Sequence, residues 1–387
     1  MIAPLAIYAI ARADFLERVR RYSFLLTLLF AVGLGYATAT GKITLQLDEY
    51  RGVYTSGWIG TLVAMTTACF VSLGGFYIVK NSVERDRSTG VGQILAATPL
   101  DRITYAFGKL LSNLAVLASM VIVLAVAAVA MQFLVAEDPH VDLGALLAPF
   151  FLMALPIMSL TAAMALLFEM VPVLRGGVGN VVWFFSWTFG IALPVVTGLR
   201  WLDPLGIMTV LNSLSVQAQR YVPGYHGGMA FQINTGQIHV AQDLRWPGLS
   251  WTWDVILLRL MWFAVAAALA LLAASVFDRF DSARAGSSPT RKRKGVLSVA
   301  AASEGASIAS PLTSAVHLTP LASNASSSGF LRLFIAELRL ALQGYRWWWY
   351  AVAAGLLIAQ FASPLEVSRG PLLGVAWFWP ILSPTRT

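Results

Sequence analysis

The side chains able to do chemistry are gathered into a few short segments between long apolar runs. The densest is KNSVERDRSTGVGQILAATPLDRITYAFGK at 80–109, where Glu84, Arg85, Asp86 and Arg87 stand in a row. Mixed charge of this kind suits ion pairing and docking rather than bond making. The segment is too long for a tight turn between helices. Ser88, Thr89 and Gly90 can begin a short helix there, with Val91, Ile94 and Leu95 on one apolar face, and Pro99 stops it. Asp101 can cap the helix that follows through Tyr105 and Lys109. A short helix of this sort suits contact with a soluble partner; without a partner it is an ordinary amphipathic loop.

Residues 4–22 form a second charged segment. On a helix, Leu5, Tyr8, Phe15, Leu16 and Val19 share one face, and Asp14, Glu17, Arg18 and Arg21 share the opposite one. The pattern predicts an interfacial helix, apolar side toward lipid. Its polar face is read either as a passive anchor for the next span or as a platform for a cytoplasmic partner.

A third candidate is the loop 200–252, with the turn-rich run YVPGYHGGM and Trp246, Trp251 and Trp253 at or near its end. The tryptophans are expected to form an interfacial belt. His226 and His239 are read as solvent-facing. A metal site would need further ligands at suitable spacing, and none stands near them. Cys69 lies in an apolar run and can form no intrachain disulfide. Nothing in the sequence matches a Gly-rich phosphate loop ending in Lys-Ser or Lys-Thr, a Ser-His-Asp set or a zinc-protease motif. The chain is therefore expected to be no enzyme, to bind no ATP itself, and to need no metal or cofactor.

The elements that must hold these segments are set by composition. Of 387 residues, 58% are hydrophobic and 12% are charged, about half the charged share of an ordinary soluble domain. The mean hydropathy is +0.71. The net charge of +8 is spread in clusters between apolar runs, which points to membrane topology and not to nucleic acid. Six runs can span the hydrocarbon as helices, at about 23–40, 58–79, 110–135, 144–168, 178–199 and 255–277. The fold class is thus an all-α integral membrane bundle. Arg and Lys are concentrated before the first span, at 80–109 and after the sixth. The positive-inside rule therefore puts the N terminus in the cytoplasm. No cleavable leader is expected, because the first apolar run follows too long a charged stretch.

No span carries an ionisable residue at its middle. Glu169 falls at the inner end of the fourth, and Asp254 and Arg259 near the outer end of the sixth. An ion-coupled carrier would be expected to bury charges midway. Asn113, Asn180, Thr66, Thr67, Ser186 and Thr188 are read as interhelical hydrogen-bonding groups.

The organisation that results is an interfacial helix at 1–22, a six-span unit at 23–280 and a flexible linker at 281–329, followed by a restart at 330–387. The linker is Ser, Ala and Gly rich and contains the run RKRK at 291–294, which either binds anionic lipid or, the favoured reading, is a topological stop signal. IARADFLERVRRYSFL at 10–25 aligns with IAELRLALQGYRWWWY at 335–350, which suggests a repeat. A seventh span is expected at 347–363, and a run at 371–382 is too close to the end to cross. Either the chain is part of a longer protein or this tail is a degenerate remnant.

The order Glu84-Arg85, Thr89-Gly90, Leu95-Ala96-Ala97-Thr98-Pro99-Leu100 and Gly108-Lys109 resembles the type-2 ABC-transporter permeases. The resemblance covers the first 280 residues as architecture and 84–109 as motif. It implies that 84–109 holds a coupling helix that contacts a separate ATPase subunit, with Glu84, Arg85, Gly90, Leu95, Pro99 and Lys109 as the positions carried over. It further implies an ATPase dimer as partner, a second permease half supplied by homo- or hetero-dimerisation, and export from the inner membrane. The incomplete second half departs from fused members of that family. The competing expectation is a membrane scaffold or enzyme working through 200–252.

Overall fold

The computed structural model describes residues 3–47, 50–221, 229–233, 242–278, 280 and 354–355. The chain divides into two units, and the first, covering Met1–Ser282, contains every element described below. In the second, Ala283–Ile381, only Ala354 and Gly355 are described, and they are helical. The expected linker, its RKRK run, the restart and the seventh span therefore lie outside the described residues, as do His226 and His239.

Helix α1 (Ala3–Val19) leads into α2 (Tyr22–Ala39), followed by strands β1 (Ile43–Leu47) and β2 (Tyr50–Gly52). Then come α3 (Ser56–Val79), two short helices, α4 (Ser82–Ser88) and α5 (Val91–Ala97), and the long α6 (Arg102–Val135). The second half has α7 (Leu143–Pro149), α8 (Leu155–Met170), α9 (Gly177–Thr197), α10 (Ile207–Tyr221), β3 (Met229–Ile233), β4 (Gln242–Leu244) and α11 (Trp253–Val276). Among the described residues, six helical runs are long and apolar enough to cross a membrane: α2, α3 with α4, α6, α7 with α8, α9 and α11. The protein is a multi-pass integral membrane protein with an all-α spanning bundle. In hydrocarbon the backbone groups must be paired within each segment, so an apolar run of this length has no other stable form.

The central position falls to α3 and α7–α8, of whose most apolar stretches 72% and 67% is buried, while α9 and α11 bury only 22% of theirs and face outward. Small residues let α3 approach closely. A Cβ on Gly60 would lie 2.3 Å from the Leu146 carbonyl oxygen, so only glycine fits where α3 crosses α7. Between α7 and α8 the chain runs as a π-helix, Phe150–Ala154, bracketed by Pro149 and Pro156. Each proline lacks an N–H and breaks the regular ladder. On the other side of α3, Phe76 stacks on Trp183 of α9 at 4.4 Å, and the Trp183 indole donates to the Leu73 carbonyl at 3.2 Å.

Helix α6 begins eight residues before its expected span, because Asp101 caps it by accepting from the Thr104 amide at 3.2 Å. At 34 residues it is roughly 51 Å long, well beyond the hydrocarbon thickness. Its N-terminal end meets α1, α4 and α5.

At the opposite end of α3 lies a four-stranded sheet of order β3-β1-β2-β4, with β1 antiparallel to β2 and β3, and β2 parallel to β4. This sheet and α10 occupy the regions read from sequence as loops. They pack through Trp58, Leu62, Val210, Leu214, Leu244 and Trp246. Trp246 is 2% exposed and meets Trp58 edge-on at 6.0 Å, so it anchors a core instead of joining an interfacial belt. Only Trp253 of the three tryptophans is largely exposed, at 78%.

Candidate functional site

The segment 80–109 folds as α4, α5 and the start of α6, and each piece is fastened differently. Asn81 takes a left-handed conformation (φ 75°) and breaks the path from α3 into α4. A left-handed Asn is tolerable, but its side chain then provides no cap. The cap comes from far along the chain. Glu169 of α8 accepts from the Ser82 hydroxyl at 3.2 Å, from the Val83 amide, and from the Glu84 amide at 3.4 Å. A carboxylate at the first turn answers orphan N–H groups and the positive end of the helix dipole. A seven-residue helix has little stability of its own, so the Glu169 cap helps to fix α4 in place.

Beside this cap lies a buried ion-pair network. Lys109 of α6 is 1% exposed; its Nζ donates to Asp14 at 2.6 Å and lies 2.7 Å from Asp86. Asp86 also accepts from the Tyr105 hydroxyl at 2.8 Å. Arg85 donates to Asp14 at 3.0 Å and pairs with Glu17 at 2.8 Å. Arg18 donates to the Asn113 side-chain oxygen, and Asn113 in turn donates to the Ala162 carbonyl of α8 at 3.3 Å. Burial pushes the Arg18 pKa below its ordinary value, against the pull of Asp14. The network joins α1, α4, α6 and α8.

This arrangement corrects the reading of residues 4–22. The apolar face is outermost as expected, with Leu5 and Tyr8 exposed. The opposite face does not look into the cytoplasm. Asp14 and Arg18 are buried against α6, and only Glu17 and Arg21 of that face remain half-exposed. The pattern identifies which residues share a face; the neighbouring helix decides which face is covered.

The short helix α5 is attached by packing instead of charge. Gly90 at its start has φ 77°, a conformation that favours glycine. Leu95 and Leu100 lie against the cluster of Tyr105, Phe277 and Phe280, where Tyr105 and Phe277 stack at 5.0 Å. Val91, Ile94 and Pro99 are exposed, Ile94 by 68%.

The six positions singled out in the sequence thus separate into two groups. Glu84, Gly90 and Pro99 lie at or near the surface. Arg85, Leu95 and Lys109 point inward and tie the segment to the bundle, Lys109 most completely. No protein-family model matches the chain, and no curated protein does.

Sequence reading missed Glu169 as a cap and Asp14 and Asp86 as partners of Lys109. Of the hydrogen-bonding groups it named, Asn180 accepts from Lys80 at 2.6 Å and Asn113 bridges two helices, while Thr188 bonds only within its own helix. Among the described residues no group of three or more His, Cys, Asp or Glu is placed to hold a metal ion.

Proposed function

We propose that this chain is the membrane-spanning permease subunit of an ATP-driven exporter. It would work with a separate ATPase dimer and a second permease half, which is either another copy or a different chain. The observation that carries the reading is the construction of 80–109. An exposed apolar helix, α5, packs on Tyr105, and the Tyr105 hydroxyl donates to Asp86 of a charged hub that reaches α1, α6 and α8. Such a mount passes displacement into the bundle instead of absorbing it, because buried ion pairs are costly to separate.

In this mechanism Glu84, Pro99, Val91 and Ile94 form the contact surface for the ATPase, and Gly90 is the joint between the two short helices. Leu95, Arg85 and Lys109 are internal ties. Closure of the ATPase dimer on ATP pushes α5, the hub carries the push to α1, α6 and α8, and the two permease halves rock between inward- and outward-open states. The clusters of Arg and Lys orient the N terminus and α5 toward the cytoplasm, and the setting is an inner membrane.

The test is co-purification of the full chain with an ATPase encoded beside its gene, and ATPase stimulation in proteoliposomes. Replacing 88–99 with a Gly/Ser linker is expected to abolish both, and Ile94→Asp to weaken association about tenfold or more. Association and stimulation that survive the linker replacement sink the coupling role.

A further inference from the structure

The sheet end of the bundle contains groups that the fold leaves unanswered. Arg259 of α11 is 1% exposed, and none of its three guanidinium nitrogens has a hydrogen-bond partner. A buried guanidinium without a partner is among the most unfavourable arrangements a fold can hold. Asp203 acts on Arg259 only through its charge, and its carboxylate accepts from the Gly206 amide at 2.8 Å and the Met208 amide at 2.7 Å at the start of α10.

A cavity of about 430 Å³ opens one helical turn away. Its wall includes Val255, which precedes Arg259 by four residues on the same face of α11, and Thr209, three residues after Gly206. A Cβ on Gly206 would lie 3.1 Å from Arg259 Nη1, so the guanidinium lies against the start of α10 just beneath this wall. The Thr209 hydroxyl, on a residue 7% exposed, is likewise without a partner. Arg200 and Arg220 also line the cavity, against a single carboxylate among the described residues, Asp254. Asn212 and Gln217 add polar groups.

We infer that this cavity binds an anionic group, a phosphate or a carboxylate, presented at the sheet end of the bundle. Arg200 and Arg220 supply charge-assisted donors, and the Thr209 hydroxyl supplies a further one from within. Arg259 does not itself line the cavity; its guanidinium lies against Gly206, behind the wall, and adds positive charge there in a low-dielectric setting. The volume falls in the range of small-molecule sites. Trp253 and Leu257, exposed by 78% and 63% on the first turns of α11, are apolar surface in the same turns as the lining residues Asp254 and Val255, and would suit an acyl chain. The same chemistry would hold a free anion. The site stands on its own geometry and does not depend on the coupling reading of 80–109.

The test is isothermal titration calorimetry on the full chain in a non-ionic maltoside detergent, with dodecyl phosphate and inorganic phosphate as separate probes. Saturable binding of at least one is expected, weakened fivefold or more by the double substitution Arg200→Gln and Arg220→Gln. Both side chains are exposed, so that variant should keep its fold, which unchanged thermal unfolding would verify. Arg259→Met is expected to weaken binding as well, and if it fails to fold the double variant still decides. Binding of dodecyl phosphate alone identifies a lipid-like amphiphile, and comparable binding of both probes identifies a free anion. No saturable binding of either probe, or a loss below fivefold in the double variant, overturns the proposal.

Discussion

The two ends of the bundle handle buried charge in opposite ways. At the α4–α5 end, Lys109 meets Asp14 and Asp86, Arg85 meets Asp14 and Glu17, and Glu169 accepts from three donors of α4. At the sheet end, neither the Arg259 guanidinium nor the Thr209 hydroxyl has a hydrogen-bond partner. Saturated buried charges lock elements together, since separating them leaves each ion stranded. An unsaturated buried cation stores attraction for something from outside. Rigid mounting and ligand capture thus make different demands on the same residue types.

The largest expected effect would break this contrast directly. Lys109→Met leaves Asp86 without a cation and Asp14 with Arg85 as its close partner, and should destabilise the protein by about 3 kcal/mol. Arg259→Met, with no ligand present, removes a charge that has no partner and should be neutral or stabilising. Unfolding in mixed micelles measures both, and equal losses would mean that the two ends are not built differently. Next comes packing. Gly60→Val places atoms where the Leu146 carbonyl stands and should destabilise by about 1–3 kcal/mol, read by the same unfolding assay. The smallest effect is at the start of α6. Asp101→Ala removes an N-cap and should lower stability by about 1 kcal/mol. A hydrogen bond from the Thr104 side chain holds the Asp101 carboxyl below its usual pKa. Its contribution is therefore full above the ordinary carboxylate pKa and fades as pH falls through the depressed value. Unfolding midpoints across that acid range should converge for wild type and Asp101→Ala.

How much of this could be read from the chain depended on the range of each interaction. The spans were legible because apolar length alone decides them, and the Asp101 cap and the Pro99 stop because each acts within three or four residues. The Glu169 cap was not, because 87 residues separate it from Ser82 and nothing local marks a carboxylate as the partner of distant amides. The inward turn of Asp14 and Arg18 was missed for a related reason: bilayer and bundle both accept a helix with one apolar face. Strands of three to five residues paired as far apart as Tyr50 and Gln242 carry too little periodicity to detect. The site was therefore legible as a segment but not as a network.

The Glu169 cap also has a meaning for biogenesis. The chain is made from its N terminus, so residues 82–88 leave the ribosome well before residue 169 exists. Until span four has entered the bilayer and folded back, the first turn of α4 has only water for its amides. A segment made before the third and fourth spans thus gains its cap only after both. An unfinished bundle has the ion pairs of α4 to α1 and α6 but not its cap, and completion of the fourth span is the step that supplies it.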